Sequence, residues 1–144
     1  MYQKDYILRM IEMFGEMLAG IFGLIRKRRY EEASQAIENT YVELLRKNSS
    51  DILKINAYRL PELLQKDFGF NQQQLEIVAG LLYAEAELNL RQKNFQESKL
   101  NFQKSLTIFK YLDKVQKIYS LERLNRISDI EKRISEISRK NSPG

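Results

Sequence analysis

The sequence contains no cysteine and no histidine. The absence of cysteine excludes disulfides, thiolate metal ligands and cysteine nucleophiles. The absence of histidine removes the commonest general base and metal ligand near neutral pH, so neither a Ser-His couple nor a Glu-x-x-His di-iron site can exist. The carboxylate, lysine and tyrosine side chains that remain form no compact catalytic set along the sequence. We therefore expect a protein that is not an enzyme and that holds no cofactor or metal.

Glycine and proline are also scarce, with six and two residues among 144, while 43% of the chain is hydrophobic and 30% is charged. This composition is typical of a globular domain large enough to bury a core without disulfide or metal support. The apolar stretch at 17–25 is shorter than the roughly 20 residues that a membrane span needs. Charges of both signs precede it, which argues against a signal peptide. We expect a cytoplasmic protein without a membrane segment.

The charge of the chain is unevenly distributed. The 24 Lys and Arg residues exceed the 19 Asp and Glu residues by five, and the segment 99–144 holds eleven basic and five acidic residues, a net charge of +6. Basic and acidic residues alternate in this segment. A solvated helix face therefore explains the segment better than nucleic-acid binding does, and weak nucleic-acid binding through this basic third is kept as an alternative.

One part of the chain is repeated at an offset of 65 residues. Residues 25–45 align with 90–110, and an aromatic residue is followed at three- and four-residue steps by small and large residues in both copies. This pattern is typical of a helix that packs against the preceding helix, so the repeat predicts stacked helical hairpins. The paired positions are Tyr30 with Phe95, Glu32 with Glu97, Ala33 with Ser98, Ile37 with Phe102, Thr40 with Ser105, Tyr41 with Leu106 and Leu44 with Phe109.

Apolar periodicity and capping residues divide the chain into helices. Asn71 with Gln74, Asn94 with Glu97, and Asp113 with Gln116 resemble capping boxes and predict three helix starts. Pro61 in a first helical turn predicts two short helices, at 51–58 and 61–66. We expect one domain at 1–140, made of a hairpin at 5–46, a short degenerate middle segment at 49–68, a hairpin at 72–112 and a C-terminal capping helix at 114–139, with a disordered tail at 141–144.

The first helix, predicted at 5–28, has two unusual features. Its apolar stripe is wider than one neighbouring helix would cover, which favours two partners or a second copy of the chain. Gly15, Gly20 and Gly23 each cost roughly 1 kcal/mol relative to alanine inside a helix, which suggests that another helix or a ligand approaches this backbone closely. A homo-oligomeric assembly protein is therefore the alternative to a monomeric binding module.

The second helix of each hairpin resembles the tetratricopeptide repeat, whose helix pairs recur at ~34 residues. The likeness is carried by Asn94, Phe95, Ser98, Phe102, Ser105 and Leu106, and again by Tyr30, Ala33, Ile37 and Tyr41. It implies an all-α fold of about six to seven helices, stacked as antiparallel hairpins in a right-handed superhelix. The opening residues MYQKDYILRMIEMF also resemble those of a family of small uncharacterised bacterial proteins with a helical fold, a likeness that implies no activity.

The resemblance also implies where a partner would bind. Tetratricopeptide domains bind proteins or peptides in a concave groove lined by the first helix of each hairpin. Arg26 and Arg91 are equivalent in the repeat, and a guanidinium can bind a carboxylate through two hydrogen bonds. The full set that the resemblance places in the groove is Leu18, Phe22, Arg26, Tyr83, Glu87, Leu90 and Arg91. For the apolar members Leu18, Phe22 and Leu90, packing in the core is the better explanation.

Overall fold

The computed structural model describes residues 2–116, 118 and 120–140, so the predicted tail at 141–144 lies outside the described residues. The described part is all-helical, without strands, and its adjacent helices pack as in a helical repeat, which confirms the predicted fold class. Its seven α-helices are α1 (Tyr2–Arg26), α2 (Tyr30–Thr40), α3 (Ser49–Leu53), α4 (Leu60–Lys66), α5 (Gln72–Arg91), α6 (Phe95–Val115) and α7 (Leu121–Lys140).

The turn between α1 and α2 is a Schellman motif built around a basic residue. Arg28 has the left-handed φ of 61° that usually favours glycine. Its N–H donates to the carbonyl of Ile25 at 3.0 Å, and the N–H of Arg29 donates to the carbonyl of Leu24 at 2.9 Å. These bonds satisfy the last carbonyls of α1, so the helix ends at Arg26 and the predicted end at residue 28 is wrong by two residues.

The turn between α5 and α6 repeats this geometry 65 residues later. Lys93 has a φ of 65°, and its N–H donates to the carbonyl of Leu90 at 3.0 Å. The N–H of Asn94 donates to the carbonyl of Asn89 at 2.8 Å. The sequence repeat is therefore also a backbone repeat, and α5 ends at Arg91 rather than at the predicted residue 93.

The three predicted capping boxes have different outcomes. Asn71 and Gln74 form the predicted box at the start of α5, with both reciprocal bonds at 2.9 Å. Asn94 precedes α6 as predicted, but its ψ of 75° is not the extended conformation of a side-chain cap, and its side chain caps nothing.

The third box, at Asp113, is wrong. Asp113 lies in the last turn of α6, which continues to Val115. Its carboxylate lies 3.3 Å from Nε of Arg123, so it joins the two helices rather than starting one. The next helix begins at Leu121, where the hydroxyl of Ser120 accepts a hydrogen bond from the N–H of Arg123 at 3.1 Å.

The middle segment packs on α6 and is not inserted between the two hairpins. Helix α3 is followed by a 3₁₀ turn, Ala57–Arg59, and then by α4, whose first turn holds Pro61 as predicted. The ammonium of Lys104 on α6 donates to the carbonyl of Leu53 at the end of α3. Lys104 is buried, and burial lowers its pKa. Because the middle segment does not separate the two hairpins, α1 and α2 contact α5 directly.

The equivalent positions of the repeat are buried in the core. Helix α2 continues through a π-helical turn, Tyr41–Leu45, whose inward side chains are also buried. On α6 the hydroxyls of Ser98 and Ser105 donate to carbonyls of α5, at 2.8 and 2.7 Å. Small residues are needed there because the two helices approach closely. The buried pairs are Ala33 with Ser98, Ile37 with Phe102, Thr40 with Ser105 and Leu44 with Phe109, while Tyr30 and Phe95 are half-buried against the core.

The glycines of α1 do not mark close packing between helices of the described chain. Among the described residues, no neighbouring group lies within 4 Å of where a Cβ would stand on Gly15 or Gly20, and Gly23 has only a guanidinium nitrogen of Arg26 at 3.9 Å. The close approach occurs instead at Gly80, the repeat equivalent of Gly15. A Cβ on Gly80 would lie 2.6 Å from the ring of Phe14.

Candidate functional site

A cleft lies where α1, α5 and α7 meet. Phe14 of α1 packs on Gly80 of α5, and farther along both helices the ring of Phe22 meets that of Tyr83. The two helices therefore run in the same direction, and the short turns after them send α2 and α6 back behind them. Helix α7 packs on α6 and forms the other wall of the cleft.

Five of the seven residues proposed for the groove line this cleft, which has a volume of about 250 Å³. They come from the C-terminal half of α1 and from one face of α5, where the spacing of three and four residues aligns them. Residues of α7 complete the cleft from the opposite side. The predicted members are Phe22, Arg26, Tyr83, Glu87 and Arg91, and the further lining residues are Ile25, Arg126 and Arg133.

The other two proposed residues lie elsewhere. Leu18 lines a smaller neighbouring cavity of about 80 Å³, together with Phe14 and Gly80. Leu90 is half-buried and packs against the core without lining the cleft. Leu18 thus extends the apolar lining along α1, whereas Leu90 belongs to the core side of α5.

Tyr83 forms the floor of the cleft and is held from several sides. Its ring packs edge-on against Phe22 and Phe102, with centroid separations of 5.8 and 5.6 Å. The guanidinium of Arg126 lies 4.5 Å from the centre of the ring, a cation–π contact. The hydroxyl donates a hydrogen bond to the Asp129 carboxylate. Burial, this bond and nearby carboxylates raise the pKa of Tyr83 to about 12, although Arg126 acts in the opposite direction.

Glu87 is the one buried carboxylate of the cleft, with only 6% of its surface exposed. Nη2 of Arg133 lies 3.0 Å from its Oε1, an ion pair by distance that lacks hydrogen-bond geometry. Burial raises the pKa of Glu87, and the guanidiniums of Arg133 and Arg91 offset part of this rise. Glu87 is therefore engaged within the protein, and its negative charge is balanced mainly by Arg133.

Arg26 and Arg91 are the two exposed cations of the cleft. Both are exposed, both are the last residue of their helix, and neither forms an ion pair with any described residue. Cations at the C-terminal end of a helix also interact favourably with its dipole, which gives each arginine a structural reason to be there. The fold also places these two equivalent guanidiniums in one cleft, beside the rings of Phe22 and Tyr83.

The residues that α7 contributes to the cleft were missed by sequence reasoning, which treated this helix as a cap. A signal was present in the sequence. Arg126, Asp129 and Arg133 are spaced by three and four residues and so share one helical face. Isoleucines on a different face of α7 are buried, which leaves the charged face toward α5.

Comparisons with models of protein families, with curated proteins and with solved structures found no match to this chain. In the described residues, no helix combines the length and the apolar character that a membrane span requires.

Proposed function

We propose that the protein is a non-enzymatic binding module of the tetratricopeptide type, which holds a protein or peptide segment in the cleft between α1, α5 and α7. The segment carries an acidic side chain, which binds between Arg26 and Arg91. An adjacent apolar side chain of the segment packs against Phe22.

The observation that carries this proposal is the pair of unpaired guanidiniums in one cleft. Glu87 is already balanced by Arg133 at 3.0 Å, and Asp129 is engaged by the hydroxyl of Tyr83. Four guanidiniums line the cleft, and these two carboxylates balance only two of them, so positive charge is left for a ligand on the exposed Arg26 and Arg91. An Arg–carboxylate pair is a strong and directional contact, because two parallel N–H groups match two oxygens. The apolar wall beside it excludes water from one side of that contact.

The test uses a displayed library of random twelve-residue peptides, selected on the immobilised protein at physiological salt. We expect the selected peptides to share an acidic residue next to an apolar one. Synthetic copies of them should bind Arg26→Ala/Arg91→Ala at least tenfold more weakly than wild type, because hydrogen bonds to charged groups contribute about 1.5–3 kcal/mol each. Fluorescence anisotropy measures the dissociation constants.

The matched control is Lys27→Ala/Lys132→Ala. It removes the same net charge from two exposed residues outside the cleft, so it should leave peptide binding within about twofold of wild type, as expected for exposed charges. Selection of no peptide, or equal binding by wild type and the arginine variant, would contradict the proposal.

A second candidate function is self-assembly through α1, and one observation favours it. The N-terminal half of this helix leaves apolar side chains exposed, and such patches often mark interfaces. Light scattering across concentrations tests it: a dimer that Leu8→Glu/Ile11→Glu converts to a monomer supports assembly, and a ~17 kDa species throughout excludes it. The exposed residues are Tyr6, Leu8, Ile11 and Met13.

A further inference from the structure

A second and larger concavity lies away from the cleft, between the middle segment and the C-terminal half of α6. Its volume of about 770 Å³ is within the range of ligand sites. The buried ring of Pro61 and the half-buried ring of Tyr111 contribute apolar surface, while Tyr58, Lys66, Lys110 and Lys114 complete the lining.

Tyr58 is the most exposed large hydrophobic side chain in the described part of the chain, with 90% of its surface free. Its backbone is nevertheless fixed, because it lies in the 3₁₀ turn and its N–H donates to the side-chain oxygen of Asn56 at 2.9 Å. Burial therefore does not explain this ring. A ring with its faces free, on a fixed backbone, can stack on a flat partner at a small cost in conformational entropy.

The lysines of the concavity are largely free of acidic partners. Lys66 and Lys114 are exposed and form no ion pair with any described residue. Lys110 lies 3.3 Å from the Glu131 carboxylate, an exposed pair that salt readily screens. Glu62, the one acidic residue of the lining, lies 3.7 Å from a guanidinium nitrogen of Arg59. The charge left over is positive.

We propose that this concavity binds single-stranded nucleic acid. Tyr58 stacks on a base, and Lys66 and Lys114 contact the phosphates on either side. Aromatic stacking combined with a positive groove is how proteins bind single strands without reading their sequence. The basic third of the chain contributes Lys110, Lys114 and the half-buried ring of Tyr111. The fold adds the exposed ring of Tyr58, from the middle segment, beside the lysines of α6. An acidic peptide would use the lysines but would give the exposed ring no flat partner.

The test measures fluorescence anisotropy of labelled dT15 and U15 with the full chain at 50 and 200 mM NaCl. Each phosphate contact on a single strand contributes about −0.7 to the slope of log K against log salt. Two contacts predict a slope of about −1.4, so binding should weaken about sevenfold over this range. Absence of binding at 50 mM NaCl would overturn the proposal.

The stacking role is tested with Tyr58→Ala and Tyr58→Trp. Loss of a stacking ring weakens single-strand binding by at least about fivefold in other proteins, and we expect the same for Tyr58→Ala with an unchanged salt slope. Tyr58→Trp should retain wild-type binding. The side chain is exposed, so folding should be unaffected, and circular dichroism checks this. Equal binding by Tyr58→Ala and wild type would overturn the role of the ring.

The phosphate contacts are tested with Lys66→Ala/Lys114→Ala, which should bring the slope close to zero. Two variants with the same charge change, Lys27→Ala/Lys132→Ala and Arg26→Ala/Arg91→Ala, should keep the slope, and the second of these separates this site from the cleft. Displacement of the oligonucleotide by an oligo-glutamate of equal charge would contradict the proposal, because it would identify a surface for acidic peptides.

Discussion

The α1–α2 and α5–α6 hairpins are built alike but have different surroundings. Their turns have the same left-handed residue and the same pair of hydrogen bonds, and their second helices bury equivalent side chains. The difference lies on the first helices. Ile77 and Leu81 of α5 are buried, whereas the equivalent residues of α1, Glu12 and Glu16, are exposed. A few charged substitutions thus distinguish the end of a helical stack from its interior, as repeat proteins require.

The largest expected effects on stability come from alanine substitutions at two equivalent glycines, Gly80 of α5 and Gly15 of α1. Alanine at Gly80 would place a Cβ 2.6 Å from the ring of Phe14, so we expect Gly80→Ala to lower the free energy of unfolding by about 1 kcal/mol after its gain in helix propensity. Alanine at Gly15 meets no described group and should raise it by about 1 kcal/mol. Urea denaturation measures both.

Gly20→Ala is the matched control, because no described group surrounds that position either. It should stabilise the protein as Gly15→Ala does. If Gly15→Ala lowers the stability while Gly20→Ala raises it, the face at Gly15 is packed in solution, as self-assembly through α1 would require.

A smaller effect tests whether the two turns are energetically alike. Arg28 and Lys93 adopt a left-handed conformation that costs most residues about 1–2 kcal/mol. Replacement by glycine removes this cost, but part of the gain is lost because glycine loses more conformational entropy on folding than other residues do. Arg28→Gly and Lys93→Gly should each stabilise the protein by about 0.5–1 kcal/mol.

The control for the turns is Gln92→Gly. Gln92 has a φ of −84°, which any residue tolerates, so glycine there should destabilise the protein by roughly 0.5 kcal/mol. Unequal effects of Arg28→Gly and Lys93→Gly would show that the turns differ in energy although they share a geometry.

The smallest expected effect appears as a pH dependence. Burial, and then the carboxylates of Glu38 and Glu97, raise the pKa of Glu85. The folded state therefore binds the carboxyl proton of Glu85 more tightly than the unfolded state does. The stabilisation of the folded state by this proton is fully present below pH 4.5, the ordinary pKa of the group, and is lost as the pH rises through the folded pKa. Glu85→Gln resembles the protonated form, so it should be more stable than wild type at pH 7 and equally stable at pH 4. A stability difference that is the same at both pH values would contradict this reasoning.

The sequence repeat predicted the fold because it records packing directly. Small and large residues at 33, 37, 40 and their equivalents must alternate where two helices approach, and all of them are buried as expected. Helix ends were harder to place. Asp113 has the side chain of a cap, but its backbone lies inside α6 and its carboxylate joins Arg123. Such a tertiary partner is not visible in local sequence.

The placement of the candidate site was predicted in part, by repeat equivalence. Arg26 and Arg91 were found because equal positions in a stack lie on the same face. The wall from α7 was missed because this helix falls outside the duplicated segment. Leu90 packs against the core, as its alternative interpretation expected, because it lies one residue from Arg91 and so on a different face of α5. The concavity beside Tyr58 could not be predicted, since it depends on how the middle segment folds back on α6.

The three-residue turn from Gln92 to Asn94 also has a kinetic consequence. Closing so short a connection costs little chain entropy, whereas joining α1 to α5 requires more than forty intervening residues to be ordered. The turn between α1 and α2 is equally short. We therefore expect each hairpin to pair early in folding, and α1 and α2 to dock on α5 later. The amides of α5, which has the most buried residues among the described helices, should then exchange with solvent deuterium most slowly. The amides near Tyr6 and Leu8, which are exposed residues of α1, should exchange most rapidly.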